Sequence, residues 1–457
     1  MWKGRMRLPA RVLGALAVAV AALSAIARPA HAVPSFASQT GQPCSACHIG
    51  SFGPQLTPFG RAFKISGYTL QGGDGLASRI PLSAMVYSSF TNTAQNQPGP
   101  AATHYADNNN FALDQISVFL AGRFNDYAGA MIQGTYSGTA AAFHWDNTDV
   151  RVTTPIDLPN DANLRIGLSL NNGPTVQDPY NNTFAWGYPY VASALAPVPG
   201  ANPIITSLIG NTLGATINGW YDNSLYFDVG VYGTMGTALA KMMGDFSYPG
   251  TSSAPMPYAR VAYEWDWNGQ AAEVGGLLFH ANLEPGGIPG YGTDTYTDFA
   301  VDGLYQFIGD GTNTVSVGGI YTHEIQNLGA SVAQGLAANP NGHLDQLRAN
   351  VTYYYQKTYG ATFAVQKTTG SADALLYSPG PVTGSNNGKP NSMEYIAELD
   401  YVPFGKSDSW GAPFANIKFG LQYTLYTEFD GGVGNYDGYG RSAGANNTLY
   451  AFAWLAF

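Results

Sequence analysis

Cys44-Ser45-Ala46-Cys47-His48 contains both cysteines of the 457-residue chain. Two thiols three positions apart, followed directly by an imidazole, form the pattern by which haem c is attached. Thiols at this spacing reach the two vinyl groups on one edge of the macrocycle, and the adjacent His48 is swung under the iron as an axial ligand. A redox dithiol of the same spacing belongs in a βαβ setting, which this chain lacks. A four-ligand metal site would need two further ligands nearby, and there are none. Cys44 and Cys47 are therefore the candidate attachment residues and His48 the candidate proximal iron ligand for one covalently bound haem c.

The other axial position must be filled from elsewhere or left open. Between residues 33 and 84 His48 is the only histidine and there is no methionine. Lys64 and Tyr68 could ligate in principle. Met85 is the first candidate distal ligand and Met131 the second, and a thioether there would raise the potential relative to a second imidazole. His104, His144, His280, His323 and His343 remain, with His104 and His343 in or beside expected loops. An open sixth position would suit a haem-based sensor or peroxidase instead.

The elements that must position these groups fall into two parts. Residues 33–79 are near the size at which a chain needs a metal, a covalent cofactor or a partner to fold, so they are expected to pack as a plug. Thr57-Pro58 predicts the start of a short helix and Gly67 its end. Phe59 and Phe63 share a face of it, either over the haem or against a wall.

From residue 80 to 457 the sequence alternates apolar and polar side chains in segments of about ten, separated by Asn/Asp/Gly turns. The pattern predicts sixteen strands near 80–91, 111–125, 127–136, 143–156, 163–170, 215–221, 225–235 and 256–267, then 271–282, 297–307, 314–325, 344–357, 360–367, 393–402, 415–427 and 448–457. Short turns alternate with long connections, which is the asymmetry of a porin-type barrel and puts both barrel ends on one side, the periplasmic one. One row, Leu225, Phe227, Val229 and Val231, is apolar, and its complement, Tyr226, Asp228, Gly230 and Tyr232, is largely polar. In the first strand the same parity turns Ser83, Met85 and Tyr87 inward. Asn181 and Asn446 begin Asn-x-Thr triplets, read here as ordinary loop polarity. The expected fold is all-β: an antiparallel outer-membrane barrel of about sixteen strands over residues 80–457, carrying a small N-terminal haem c plug with a short helix.

Composition agrees with that fold. Charged residues are 11% of the chain, against roughly a quarter in soluble globular domains, and 13% aromatic residues exclude disorder. Residues 1–32 read as a secretory signal: Lys3, Arg5, Arg7 and Arg11, then an apolar stretch, then Ala30-His31-Ala32 before Val33. Removing it takes the net charge from −10 to −15, which excludes nucleic acid as a partner. Loop carboxylates such as Glu284, Asp294, Glu324 and Asp437 could attract cations. Paired catalytic carboxylates, a Ser-His-Asp order and a P-loop are all absent from the sequence, so acid–base and phosphoryl chemistry have no support.

The N-terminal part also resembles a known family, the fused outer-membrane monohaem cytochrome–porins, which include iron-oxidising cytochromes. The resemblance rests on Val33-Pro34-Ser35-Phe36-Ala37, Gln39-Thr40-Gly41, the Cys44–His48 motif, Pro54, Leu56-Thr57-Pro58-Phe59-Gly60-Arg61, Phe63-Lys64 and Gly67-Tyr68, and on the terminal Phe457. The chain departs from the family pattern at Ser38 and over residues 49–53. The resemblance implies an electron-transfer role, with Fe(II) oxidase activity as its enzymatic form. An extracellular donor, Fe(II) first among them, would reduce the haem, and a periplasmic cytochrome or other carrier would receive the electron. The alternative is a diffusion channel whose plug gates or stabilises it.

Overall fold

The computed structural model describes residues 35–73, 77–159, 162–244, 249–409 and 415–457. The expected leader over residues 1–32, the mature start at Val33 and the turn at Asn160-Asp161 lie outside them.

Sixteen long strands form one closed antiparallel barrel. In chain order they begin with β1 (Leu82–Thr93), β2 (Asn110–Arg123), β3 (Ala128–Ser137), β4 (Ala142–Asp157), β5 (Asn163–Asn171), β6 (Thr212–Tyr221) and β7 (Leu225–Thr234). After a three-residue strand, β8 (Gly250–Ser252), come β9 (Met256–Trp267), β10 (Gln270–Pro285), β11 (Asp294–Phe307), β12 (Asn313–Asn327) and β13 (Asn341–Tyr355). The last are β14 (Tyr359–Gly370), β15 (Ser392–Tyr401), β16 (Asn416–Glu428) and β17 (Thr448–Ala456). Closure is made by β1, which pairs with β2 on one side and with β17 on the other, Met85 opposite Ala456 and Thr93 opposite Thr448. All sixteen expected strands are present, and β8, too short to carry an alternation, is the addition.

Period-two alternation decides which way each side chain points. On β7, Tyr226 and Asp228 are fully buried, while Phe227, Val229 and Val231 are 37%, 52% and 49% exposed. An apolar outer row repeated around a closed barrel is favourable only against lipid. At the end bearing the short turns the outer row turns aromatic, with Tyr221, Trp267, Phe307, Tyr355, Tyr359 and Tyr401 exposed, the girdle of an interfacial zone. The connection between Tyr401 and Asn416 departs from the short turns at this end, as the expected strands 393–402 and 415–427 already implied.

Among the described residues, three short α-helices precede β1: α1 (Ser35–Thr40), α2 (Cys44–Cys47) and α3 (Pro58–Ile65). The third is the expected one. Thr57 caps it by accepting from the Gly60 amide at 3.2 Å, Pro58 occupies its first turn, and Gly67 follows its end with φ +73°. Helices α1 and α2 are too short for a periodic signal.

Residues 172–211, expected as an outer loop, fold back into the lumen instead. Val176, Gln177, Asp178, Thr183, Ile205 and Leu208 are fully buried. With its aromatic residues and single charge, Asp178, this segment can cover inner-wall polar groups as a soluble loop could not.

Candidate functional site

The attachment motif is held from two directions. The Thr57 amide donates to the Cys47 carbonyl and the Ile49 amide to that of Gln55, both at 2.9 Å, so α2 is pinned against the start of α3. Gly60 permits this approach: a Cβ there would lie 2.3 Å from the Cys47 carbonyl oxygen.

No disulfide joins the two cysteines, and burial raises both thiols, Cys47 to about 12. A thiol-exchange centre needs the opposite shift, because its thiolate is the nucleophile. Burial pushes the His48 imidazole down to about 4, which keeps it neutral and able to ligate a metal. Its Nδ1 is buried with no close hydrogen-bond partner, and a weaker contact with the Gly53 backbone acts against the shift.

Cys44, Cys47 and His48 line one cavity of about 710 Å³ inside the barrel, within the range of roughly 300–1,000 Å³ of cofactor sites. Phe36, Phe63, Tyr68, Trp186 and Trp454 give it flat apolar walls, and Met85 and Met131 face it from β1 and β3. The donor set and the apolar walls fit a covalently attached haem, which Cys44 and Cys47 would hold and His48 would ligate.

The plug is bolted to the inner wall around its circumference. Arg61 donates from Nε to Glu264 Oε1 on β9 at 2.8 Å, and from Nη1 to Gln306 Oε1 on β11 and to the Leu56 carbonyl at 2.8 and 2.9 Å. The Tyr68 hydroxyl donates to Asp149 Oδ2 on β4 at 2.7 Å, and Gln55 Nε2 to Ser316 on β12 at 2.8 Å. Asn416 on β16 donates to the Ser51 carbonyl at 2.8 Å, and the Arg123 amide of β2 to Gln39 Oε1 at 2.8 Å. Lys64 Nζ donates to the Val176 and Asp178 carbonyls and to Asn181 Oδ1 at 2.8, 2.7 and 2.9 Å, joining α3 to the inward loop.

The other ligand candidates separate cleanly. Met85 is buried, lines the cavity and accepts a hydrogen bond at Sδ from Trp454 Nε1 at 3.2 Å. Met131 lines the cavity as well. Lys64 and Tyr68 line it, but the Lys64 ammonium is spent on three acceptors and the Tyr68 hydroxyl on Asp149, so neither is available to iron. His104, His144, His280, His323 and His343 are not in the cavity wall. His280 is engaged by Thr297 and Asn282, and His323 by Asp345.

Three further expectations need correction. Phe63 packs on Phe36 and Tyr68 with ring centroids 4.9 and 5.8 Å apart, but Phe59 is 37% exposed and off the cavity wall. Asp294, Glu324 and Asp437 are buried, accepting backbone amides of Ala330, Ile204 and Tyr439, so they are structural caps rather than cation-attracting loop groups. Asn181 is no mere loop polarity: it accepts from Lys64 and donates to the Pro54 carbonyl at 2.7 Å.

No family model matches the chain, and no curated protein does. Among solved structures it is similar to the outer membrane channel DcaP of Acinetobacter baumannii, at 11% identity and a TM-score of 0.45 over 82% of this chain and 96% of that one. The anion-selective porin from Comamonas acidovorans is similar at 12% identity and a TM-score of 0.43, over 82% and 98%. OmpT of Vibrio cholerae is similar at 10% identity and a TM-score of 0.43, over 82% and 96%.

Proposed function

We propose that this porin-type barrel is an outer-membrane electron-transfer protein. In this reading it accepts electrons from an extracellular donor, Fe(II) first among them, and passes them to a soluble periplasmic carrier. The termini of the barrel, both at the short-turn end, would then face the periplasm. One observation carries the reading: both thiols and the imidazole of a single attachment motif open onto one largely apolar, cofactor-sized cavity in the lumen.

A c-type haem, when bound, supplies a reversible one-electron couple. The chain's own residues do the rest. Cys44 and Cys47 would hold the group covalently, and neutral His48 would offer its imidazole to the iron. Phe63, Tyr68 and Trp186, which line the cavity, would exclude water from the group and so lower the local dielectric that tunes its potential. Met85 is the distal ligand proposed first.

The deciding experiment is an anaerobic visible spectrum of the detergent-purified, oxidised protein before and after adding Fe(II). The control is the Cys44→Ala, Cys47→Ala double variant. Ferrous c-haem bands after Fe(II), lost in a variant that keeps a heat-modifiable barrel, are the expected result. Reduction by dithionite but not by Fe(II) would leave the role and change the donor. No covalent haem in the native protein would refute the proposal.

A second reading, a diffusion channel, is favoured by the closed barrel itself, which is the scaffold of such channels. It expects open conductance in planar bilayers that is indifferent to haem redox state.

A further inference from the structure

Most cations packed into the lumen are spoken for. Arg61 is paired with Glu264, Arg151 with Asp149, Arg260 with Asp178, Glu273 and Asp302, and Lys418 with Glu398 and Asp400. Arg348 on β13 is different. Among the described residues it makes no ion pair, and its hydrogen bond is a long one, from Nη2 to Asn202 Oδ1 at 3.4 Å. Its Nε is buried with no partner. Glu394 acts on it only at a distance.

Two residues along the same face, Asn350 also keeps a buried amide nitrogen, Nδ2, without a partner. Arg348 lines the cavity that holds Cys44, Cys47 and His48. Together with Asn350 it also lines a small adjoining chamber of about 20 Å³, room for roughly one water. Missing side chains open this corner: Asn350 stands opposite Gly318 on β12, and a Cβ built on Gly187 of the inward loop would lie 4.0 Å from Arg348 Nη1.

Arg348 is half-buried, but its Nε and the Asn350 Nδ2 are buried donors without acceptors, and each such unmet donor is costly unless an acceptor completes it. The planar fork of arginine matches a carboxylate or phosphate through two parallel N–H bonds. We propose that Arg348 and Asn350 form an oxyanion-binding site on the inner wall, open to the motif cavity. Its ligand carries a carboxylate or phosphate group. Two sources supply that chemistry: the carboxylate side chains of a haem in the cavity, an arm that rests on the proposed function, and a free small anion entering the lumen, an arm that does not.

The test titrates inorganic phosphate, by calorimetry, into the detergent-solubilised full chain and into the Cys44→Ala, Cys47→Ala variant, after covalent haem in each has been measured as the pyridine adduct. Phosphate binding only to the haem-free form identifies the haem carboxylates as occupant. Binding to both forms identifies a free anion. In either case Arg348→Met weakens phosphate binding at least tenfold, Asn350→Leu weakens it less, and Arg348→Lys restores part of it. Neither form binding phosphate, or Arg348→Met and Asn350→Leu both binding as well as the native chain, would overturn the site. Absence of covalent haem in the native chain would sink the electron-transfer reading alone, because the titration still decides whether the anion site exists.

Discussion

Replacing Arg61 with methionine removes the strongest bolt between plug and barrel and leaves Glu264 behind. The pair is desolvated, with side-chain exposures of 1% for Arg61 and 5% for Glu264. The Leu56 carbonyl keeps a donor, Gln306 Nε2 at 2.9 Å, so its loss is covered. Gln306 Oε1 and the carboxylate lose theirs. Stranding one member of a buried pair costs about 3–5 kcal/mol, which at about 1.4 kcal/mol per decade is roughly a hundredfold to a few thousandfold in the opening equilibrium of the plug. Hydrogen exchange of the α3 amides in detergent reads that equilibrium directly. Arg61→Met should accelerate exchange in α3 by such a factor while β12 and β13 stay protected. Adding Glu264→Gln should recover most of the protection, because the neutral amide removes the uncompensated charge. A single variant that exchanges like the native chain would refute the reasoning, as would a double variant no better than the single.

Met85→Leu conserves volume and should leave both barrel and covalent haem in place. It should change the visible spectrum and lower the reduction potential by removing the thioether; an unchanged spectrum would exclude Met85 and leave Met131. The Lys64 amine is pushed down to about 7, by burial first and then by Arg151. An undocked plug holds that proton up to about pH 10.4, so between about 7 and 10.4 the undocked state binds more protons and docking should strengthen as pH rises. Protection of α3 measured across that range should carry this slope in the native chain and lose it in Lys64→Gln, and a native profile that is flat or falling with pH would contradict the assignment.

The barrel was legible because alternation is a local property: each strand's inner and outer rows can be read from its own ten residues, and Leu225 to Tyr232 already carry the pattern that burial displays. The motif was legible for the same reason, since Cys44, Cys47 and His48 are contiguous. What the sequence hid is long-range. Lys64 looked like a free ligand candidate until three oxygens from residues 176–181 closed on it. The inward fold of residues 172–211 has no periodic signature; its signal was compositional, an aromatic stretch with almost no charge where an outer loop would be polar. Arg348 was invisible as a site because its distinction is a missing partner, and no pattern along a chain records that. The burial of Asp294 and Asp437 likewise depends on amides that distant segments bring to them.

The bolts between plug and wall also constrain the order of assembly. Their partners run from Arg123 on β2 to Asn416 on β16, and the Ser51–Asn416 bond joins residues 365 positions apart. Contacts of such separation form late, after the loop-closure entropy has been met. The N-terminal segment comes first in the chain and is fastened stepwise, by β2 and β4 through Arg123 and Asp149 and completely only when β16 brings Asn416. Once β17 zips onto β1, Trp454 reaches Met85 across the seam and the chamber is sealed. Any group to be attached at Cys44 and Cys47 would therefore have to enter before the seam closes, which would make barrel closure the clock for its loading.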